Sequence, residues 1–364
     1  MTAPLREARI RLEALAGNIE VLRRTVAPAQ LMAVVKADAY GHGMLPVARA
    51  ATDAGADWLG VADLDEALAL RAAGIRTPVL AWLHGAEPDF RTAVEAGIDV
   101  AVSTPAQLQA AARAGAVVHL KVDTGLSRNG FAADEAPAVF AWAAESERAG
   151  RLRVRGLMSH LSGTSPADDD AQRARFEQLV EIARATGLAP ELRHLGSSLA
   201  ALTQPAAHLD LVRVGIAMYG LAPADGVSVA AAGLRPVMEL ASEVVAVRRV
   251  PPGAGVSYGY THRTDRETTL ALVPLGYADG IPRSASGHLH VDIAGVRHRQ
   301  VGRVAMDQFV VDVGDHPVAV GDPVIVWGDP ARRLPGADDL AEAIDTIGYE
   351  LVTRVGPRVA RVPV

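Results

Sequence analysis

The 364-residue sequence contains no cysteine. That removes disulfides, thiolate metal sites and cysteine nucleophiles, and leaves the redox compartment open. Aromatics are scarce, with 5 Phe, 4 Trp and 6 Tyr, so each tyrosine and tryptophan is worth weighing singly. No run is long and apolar enough to span a bilayer. The first ten residues, Met1 to Ile10, carry too much charge for a secretory signal, so a cytoplasmic location is the default expectation. Basic residues are scattered and the formal net charge is −6, which lacks the footprint of nucleic-acid binding. Zinc, P-loop and dinucleotide fingerprints are absent, and Gly41-His42-Gly43 has the wrong spacing for the last of these. No paired carboxylates or Ser-His-Asp arrangement supports a barrel hydrolase.

What is present is an ordinary globular composition, 49% hydrophobic and 21% charged, at a length that favours about two domains. Eight short apolar runs precede residue 220: Leu31–Lys36, Trp58–Ala62, Pro78–Trp82, Ile98–Val102, Val117–Asp123, Val154–His160, Leu192–Gly196 and Leu211–Ile216. Ala-rich stretches with helical spacing lie between most of them. Asp63–Ala73, Glu87–Ala96 and Thr104–Ala114 each run into a glycine, the expected punctuation of a helix. Alternating strands and helices imply a parallel sheet, and eight units fit an α/β fold of the (β/α)8 TIM-type barrel. A doubly wound open sheet is the alternative, since counting does not prove closure. Near Ala222–Arg235 the rhythm stops. Val-rich segments broken by Pro and Gly follow, among them Met238–Val250, Thr268–Pro274 and Gln308–Val313. They predict a second, mainly β domain with one helix over Ala337–Ile347. The expected division is residues 1–230 and 231–364.

A barrel places functional groups at the carboxyl ends of its strands. Lys36 ends the first run, in Ala33-Val34-Val35-Lys36-Ala37-Asp38-Ala39-Tyr40-Gly41-His42-Gly43. Desolvation there favours the free amine, a nucleophile or base, although a strand-end lysine more often reaches into solvent. Lys121 and Asp123 end the fifth run, His160 the sixth, and Ser197-Ser198 follow the seventh. Singly, these read as an edge pair, a core histidine and a helix cap, or, for the serines, a phosphate site at a helix start. Arg213 is harder to dismiss, because a guanidinium inside an apolar strand keeps its charge and needs an acceptor. In the second domain Tyr258, Tyr277, Met306-Asp307 and Tyr349 sit in Gly-flanked polar turns.

Seven stretches in order, Ala33–Gly43, Lys121–Gly130, Arg213–Gly220, Val256–Gly259, Gly276–Gly280, Gly302–Gln308 and Ile347–Glu350, resemble the bacterial alanine racemases, fold-type III pyridoxal phosphate enzymes. The resemblance spans nearly the whole chain. It implies two-base interconversion of L- and D-alanine, feeding peptidoglycan synthesis. It also implies a head-to-tail homodimer, and an N-terminal strand near residues 6–12 that packs with the second domain. Lys36 would hold pyridoxal 5′-phosphate as an internal Schiff base, and Tyr40, Ser198, Gly215, Ile216 and Tyr349 would bind its phosphate. Arg213 would face the pyridine nitrogen, making the ring a weaker electron sink than a carboxylate partner does, which suits racemisation over transamination. Lys36 would act as base on the D-enantiomer. Tyr258, reaching in from the partner, would act on the L-enantiomer. A phenol needs help to ionise near neutrality, and His160 with Arg213 would supply it.

Arg128 and Met306 would bind the substrate carboxylate, Met306 in trans, while Asp307 and Tyr277 would shape the entrance. Lys121 stands where several members carry a carbamylated lysine. Two positions depart from the family: Ser197 replaces a common asparagine, and Ala305 a common cysteine. Strict preference for alanine is therefore less fixed than the reaction type. Alternatives on the scaffold are a broad-specificity or serine racemase, a decarboxylase, disfavoured by Arg213, and a non-catalytic pyridoxal phosphate-binding protein, disfavoured by the second domain.

Overall fold

A computed structural model describes residues 4–364. All eight expected runs form strands of one parallel sheet, in the order Gln30–Val34, Trp58–Val61, Val79–Ala81, Asp99–Val102, Val117–Lys121, Arg153–Met158, Leu192–His194 and Leu211–Val214. The eighth strand returns to pair with the first, Met32 opposite Arg213. Across the remaining seam, between the seventh and eighth strands, Arg213 N–H donates to Gly196 O at 3.1 Å and Asp210 N–H to Arg193 O at 3.1 Å. The sheet is thus nearly closed into a TIM-type barrel.

Strand residues alternate between two apolar regions, as a period of two requires. Met32, Trp58, Leu80, Ala101, Met158, Leu192 and Leu211 fill the barrel interior. The intervening residues, such as Leu31, Ala33, Leu59, Val100 and Val118, join the larger core beneath the helices. Local signals set the helix ends. Asp63 caps Leu64–Ala72 by accepting from Glu66 N–H, and Thr104 caps Pro105–Ala114, which Gly115 ends in the left-handed region. The expected helix over Glu87–Ala96 is shorter, Arg91–Glu95. Pro88 favours extended chain before it, and the Asp89 carboxylate instead accepts from Arg91 N–H at 3.0 Å.

The second domain is a nine-stranded mixed sheet. The segment Met238–Val250 splits into the strands Met238–Glu243 and Ala246–Val250. Arg6–Ile10 joins this sheet, antiparallel to Met238–Glu243 and parallel to Ala360–Pro363. Two buried carboxylates pin it there. Glu239 accepts from Arg9, Arg11 and Arg332 at 2.8–3.0 Å, and Asp279 pairs with Arg6 at 3.2 Å and Arg358 at 2.9 Å. The expected helix over Ala337–Ile347 ends at Ala343, and a separate helix, Gly348–Thr353, carries Tyr349. This last helix packs against Gly41, where an added Cβ would lie 2.2 Å from Val352 O. The second domain therefore touches the loop that follows Lys36.

Candidate active site

Lys36 opens a left-handed helical turn. Ala37, Asp38, Ala39 and Tyr40 have φ between 51° and 54°, a conformation costing roughly 1–2 kcal/mol per residue for L-amino acids. Tertiary contacts hold it. Glu66 accepts from Ala37 N–H at 2.6 Å, the Asp38 carboxylate accepts from Met44 N–H at 2.7 Å, and Arg361 Nε donates to Gly41 O at 3.0 Å. Tyr40 packs on buried Tyr219 with ring centroids 4.9 Å apart. The turn points Lys36 and Tyr40 into one cavity of about 1060 Å³ at the carboxyl end of the barrel.

Ten of the residues expected from sequence line that cavity: Lys36, Tyr40, Lys121, Arg128, His160, Ser198, Arg213, Gly215, Ile216 and Tyr349. Its lining holds four cations, Lys36, Lys121, Arg128 and Arg213, against one acid, Glu350. Burial pushes the Lys36 amine below the ordinary lysine value, Arg128 pushes the same way and Glu66 opposes. Lys121 falls to about 8 through burial and the charges of Arg213 and Arg128. Burial and the same cations take His160 down to about 3, so its ring is neutral.

Arg213 is held from two sides. One terminal nitrogen donates to His194 O and to His194 Nδ1, both at 3.0 Å. The other donates to Ser159 O at 2.8 Å, Leu195 O at 3.1 Å and His160 Nδ1 at 3.1 Å. Because arginine only donates, His160 must accept at Nδ1 and carry its proton on Nε2. Nε–H of Arg213 has no protein acceptor among the described residues, and Arg213 borders the cavity. At the other end of the pocket, Ser198 Oγ accepts from Gly215 N–H at 2.9 Å and Ala217 N–H at 3.3 Å. A Cβ on Gly215 would stand 2.3 Å from the Tyr40 hydroxyl oxygen. Glycine is required for that hydroxyl to reach the backbone.

The remaining expected residues lie elsewhere in the chain. Tyr258, Tyr277, Met306 and Asp307 do not line the cavity. Tyr258, Tyr277 and Met306 are 73%, 45% and 53% exposed on the second domain. Close backbone packing joins the last two, with Tyr277 N–H donating to Ala305 O at 3.0 Å and Ala278 N–H to Met306 O at 2.9 Å. Asp307 pairs with Arg358 at 2.8 Å. Asp123 is a turn former, accepting from Gly125 and Ser127 N–H. Functional neighbours outside the sequence motifs include Trp82, whose ring lies 5.9 Å from the Lys36 ammonium, and the buried histidines His119 and His194. The signal for the histidines was their register, His119 two residues before Lys121 on the same inward face of one strand.

Two family models match the chain: the alanine racemase N-terminal domain over residues 10–223 and the alanine racemase C-terminal domain over residues 237–363. An alanine racemase of Thermobifida fusca is 50% identical over 98% of this chain and 97% of its own length. Among solved structures, alanine racemase from D-cycloserine producing Streptomyces lavendulae superposes with a TM-score of 0.96 at 44% identity, covering 100% of this chain and 98% of that one. The enzyme from Streptomyces coelicolor A3(2) gives 0.95 at 48% identity, covering 99% and 98%.

Proposed function

The chain belongs to the alanine racemase family and interconverts L-alanine and D-alanine; we propose that it does so with pyridoxal 5′-phosphate in the barrel cavity, completed by a second copy of the chain. The charge of the cavity carries this reading. Three cations, Lys121, Arg128 and Arg213, around the depressed Lys36 amine suit an anionic cofactor and a carboxylate substrate. The donor set fits the cofactor. Tyr40 and Ser198 hydroxyls meet the Gly215–Ile216 backbone in a space that a single added Cβ at Gly215 would close, a neutral cradle suited to phosphate oxygens. Tyr349 borders it, and burial raises its phenol to about 12, so it is a donor. The unpartnered Nε–H of Arg213 is a donor for an unprotonated ring nitrogen.

When bound, the cofactor supplies the electron sink that acidifies the substrate Cα–H. Lys36 takes or returns that proton on one face, serving the D-enantiomer, and Tyr258 of a second copy serves the L-enantiomer on the other. Arg213 holds neutral His160 with its Nε2–H left free, and this pair supports the tyrosine. Arg128 fixes the substrate carboxylate together with Met306 of the second copy, while Asp307 and Tyr277 shape the entrance. Lys121, beside Arg128 in the cationic lining, is open to carbamylation, which would place an anion there. A head-to-tail homodimer is supported by the exposure of Tyr258 and Met306, large side chains without cover in one chain. We place the domain boundary near residue 230 and the enzyme in the cytoplasm, where it would supply D-alanine for peptidoglycan. No helix of the described residues is long and apolar enough to cross a membrane.

The test is direct. Purified protein supplied with pyridoxal phosphate and L-alanine should reach an equal mixture of enantiomers, and L-serine should react more slowly. Failure to racemise any small amino acid with cofactor demonstrably bound would refute the reading.

A further inference from the structure

Behind Arg213 a chain of buried polar groups runs through the barrel interior, away from the cavity. His194 Nε2 lies 2.8 Å from His119 Nδ1, and His119 Nε2 lies 3.1 Å from Asp99 Oδ2. Asp99, at the opposite end of the barrel, also accepts from Arg155 Nη1 at 2.8 and 2.9 Å. The surrounding strands make room for this chain. Gly156 faces His119 across the sheet, and a Cβ there would lie 2.2 Å from His119 Nδ1, the atom that joins the two rings. Trp58 closes the ring from another side, edge-on at 5.7 Å between centroids. An apolar pair of side chains would fill this interior without buried polar groups, which are costly unless every one is satisfied.

Here every one is satisfied in a single proton arrangement. Arginine only donates, so His194 accepts at Nδ1 and carries its proton on Nε2. That N–H donates to His119 Nδ1, which places the proton of His119 on Nε2, facing Asp99. A carboxylate only accepts, so both ends dictate the same direction. A second proton on either ring would set N–H against N–H.

We propose that Asp99 is a positioning residue for Arg213, acting through His119 and His194 to fix this proton order and so the direction of the Arg213 Nε–H. The consequence for turnover rests on the racemase reading, whereas the proton order does not. In Asp99→Asn the amide either turns its NH₂ to His119, which reverses both rings and drives His194 Nδ1–H against Arg213, or turns it to Arg155, another donor. Asparagine accepts either orientation, so nothing at this end dictates one proton order any longer, and the guanidinium loses its single fixed seat.

Neutron diffraction from deuterium-exchanged crystals of the wild-type holoenzyme reads the order without any assay. Deuterium should occupy Nε2 of His119 and of His194, and a deuteron on Nδ1 of either ring would overturn the proposal. In turnover, Asp99→Asn should lower kcat by about 10- to 100-fold, by analogy with the loss seen when the outer partner of a metal-ligating histidine is removed, with KM for alanine little changed. Asp210→Asn breaks a comparable pair with Arg193 at the barrel seam, outside the chain, and should leave kcat unchanged. Folded Asp99→Asn protein with wild-type kcat, or an equal loss in Asp210→Asn, would overturn it. Should Asp99→Asn not fold, His119→Leu cuts the chain between Asp99 and His194 and should lower kcat several-fold at constant KM; an unchanged kcat there would overturn it too.

Discussion

The two parts of this molecule that bear on racemisation are built on opposite plans. The barrel presents a recessed cationic cavity whose groups are held by backbone geometry, a left-handed turn and a buried hydrogen-bond chain. The second domain presents Tyr258, Tyr277 and Met306 on its surface, in tight turns with little around them. One part is finished within the chain, and the other is a surface in need of something to face. On the proposed function, the difference separates two tasks, holding a charged cofactor and delivering a base to the far side of it. It also means that changes in the two parts should fail differently, those in the barrel disturbing binding or stability as well as turnover and those in the second-domain turns disturbing turnover alone.

The largest effect is expected at Lys36. Lys36→Ala should lower racemisation by about a thousandfold or more and abolish covalent retention of pyridoxal phosphate, checked by absorbance after denaturation and filtration. Tyr258→Phe should lower turnover by about 10²- to 10⁴-fold while leaving the melting temperature and cofactor content unchanged, since the ring is kept and only the hydroxyl is lost. A shift in melting temperature comparable with that of a core substitution would blur the contrast.

Stability effects come next. Gly41→Ala puts a Cβ on a residue at φ +78° and 2.2 Å from Val352 O. It should destabilise by about 2–4 kcal/mol, combining left-handed strain with overpacking, as measured by denaturant unfolding. Lys121 gives a pH signature. Its folded pKa, about 8, lies below the ordinary value near 10.4, so the unfolded chain binds more protons between these limits. Stability contributed at this site therefore rises with pH from about 8 to about 10. Relative to Lys121→Met, the wild-type protein should gain on the order of 3 kcal/mol across that window. No convergence of the two unfolding curves would contradict the assigned shift. The smallest effect is expected at Asp307→Ala, which removes an exposed pair with Arg358 and should leave the midpoint of denaturant unfolding nearly unchanged.

Much of the barrel was legible because its strands are apolar runs punctuated by capped helices, a pattern that local chemistry specifies. The left-handed turn after Lys36 was not. Ala-Asp-Ala-Tyr has no glycine to signal φ > 0, and the conformation depends on Glu66, Tyr219 and the distant Arg361. The helix at Gly348–Thr353 read as a turn because its glycine marks the start of a helix packed on Gly41. On the site, Lys36 and Arg213 stood out as charges in apolar strands, and ten candidates from distant sequence converge on one cavity. His119, His194 and Asp99 stayed hidden because each lies in a short strand with no motif around it. Their partnership exists only once the sheet closes, with Gly156 leaving room. Tyr258 could be named from its motif, but no single chain sets it against Lys36.

Mixing two inactive proteins shows whether the site is shared between two copies. Lys36→Ala and Tyr258→Ala chains, unfolded and refolded together in equal amounts, should regain about a quarter of wild-type activity. Half of randomly formed dimers are hybrids, and each hybrid has one intact site of two. Activity no greater than that of the separate variants, with hybrid dimers shown to form, would contradict a site shared between two copies.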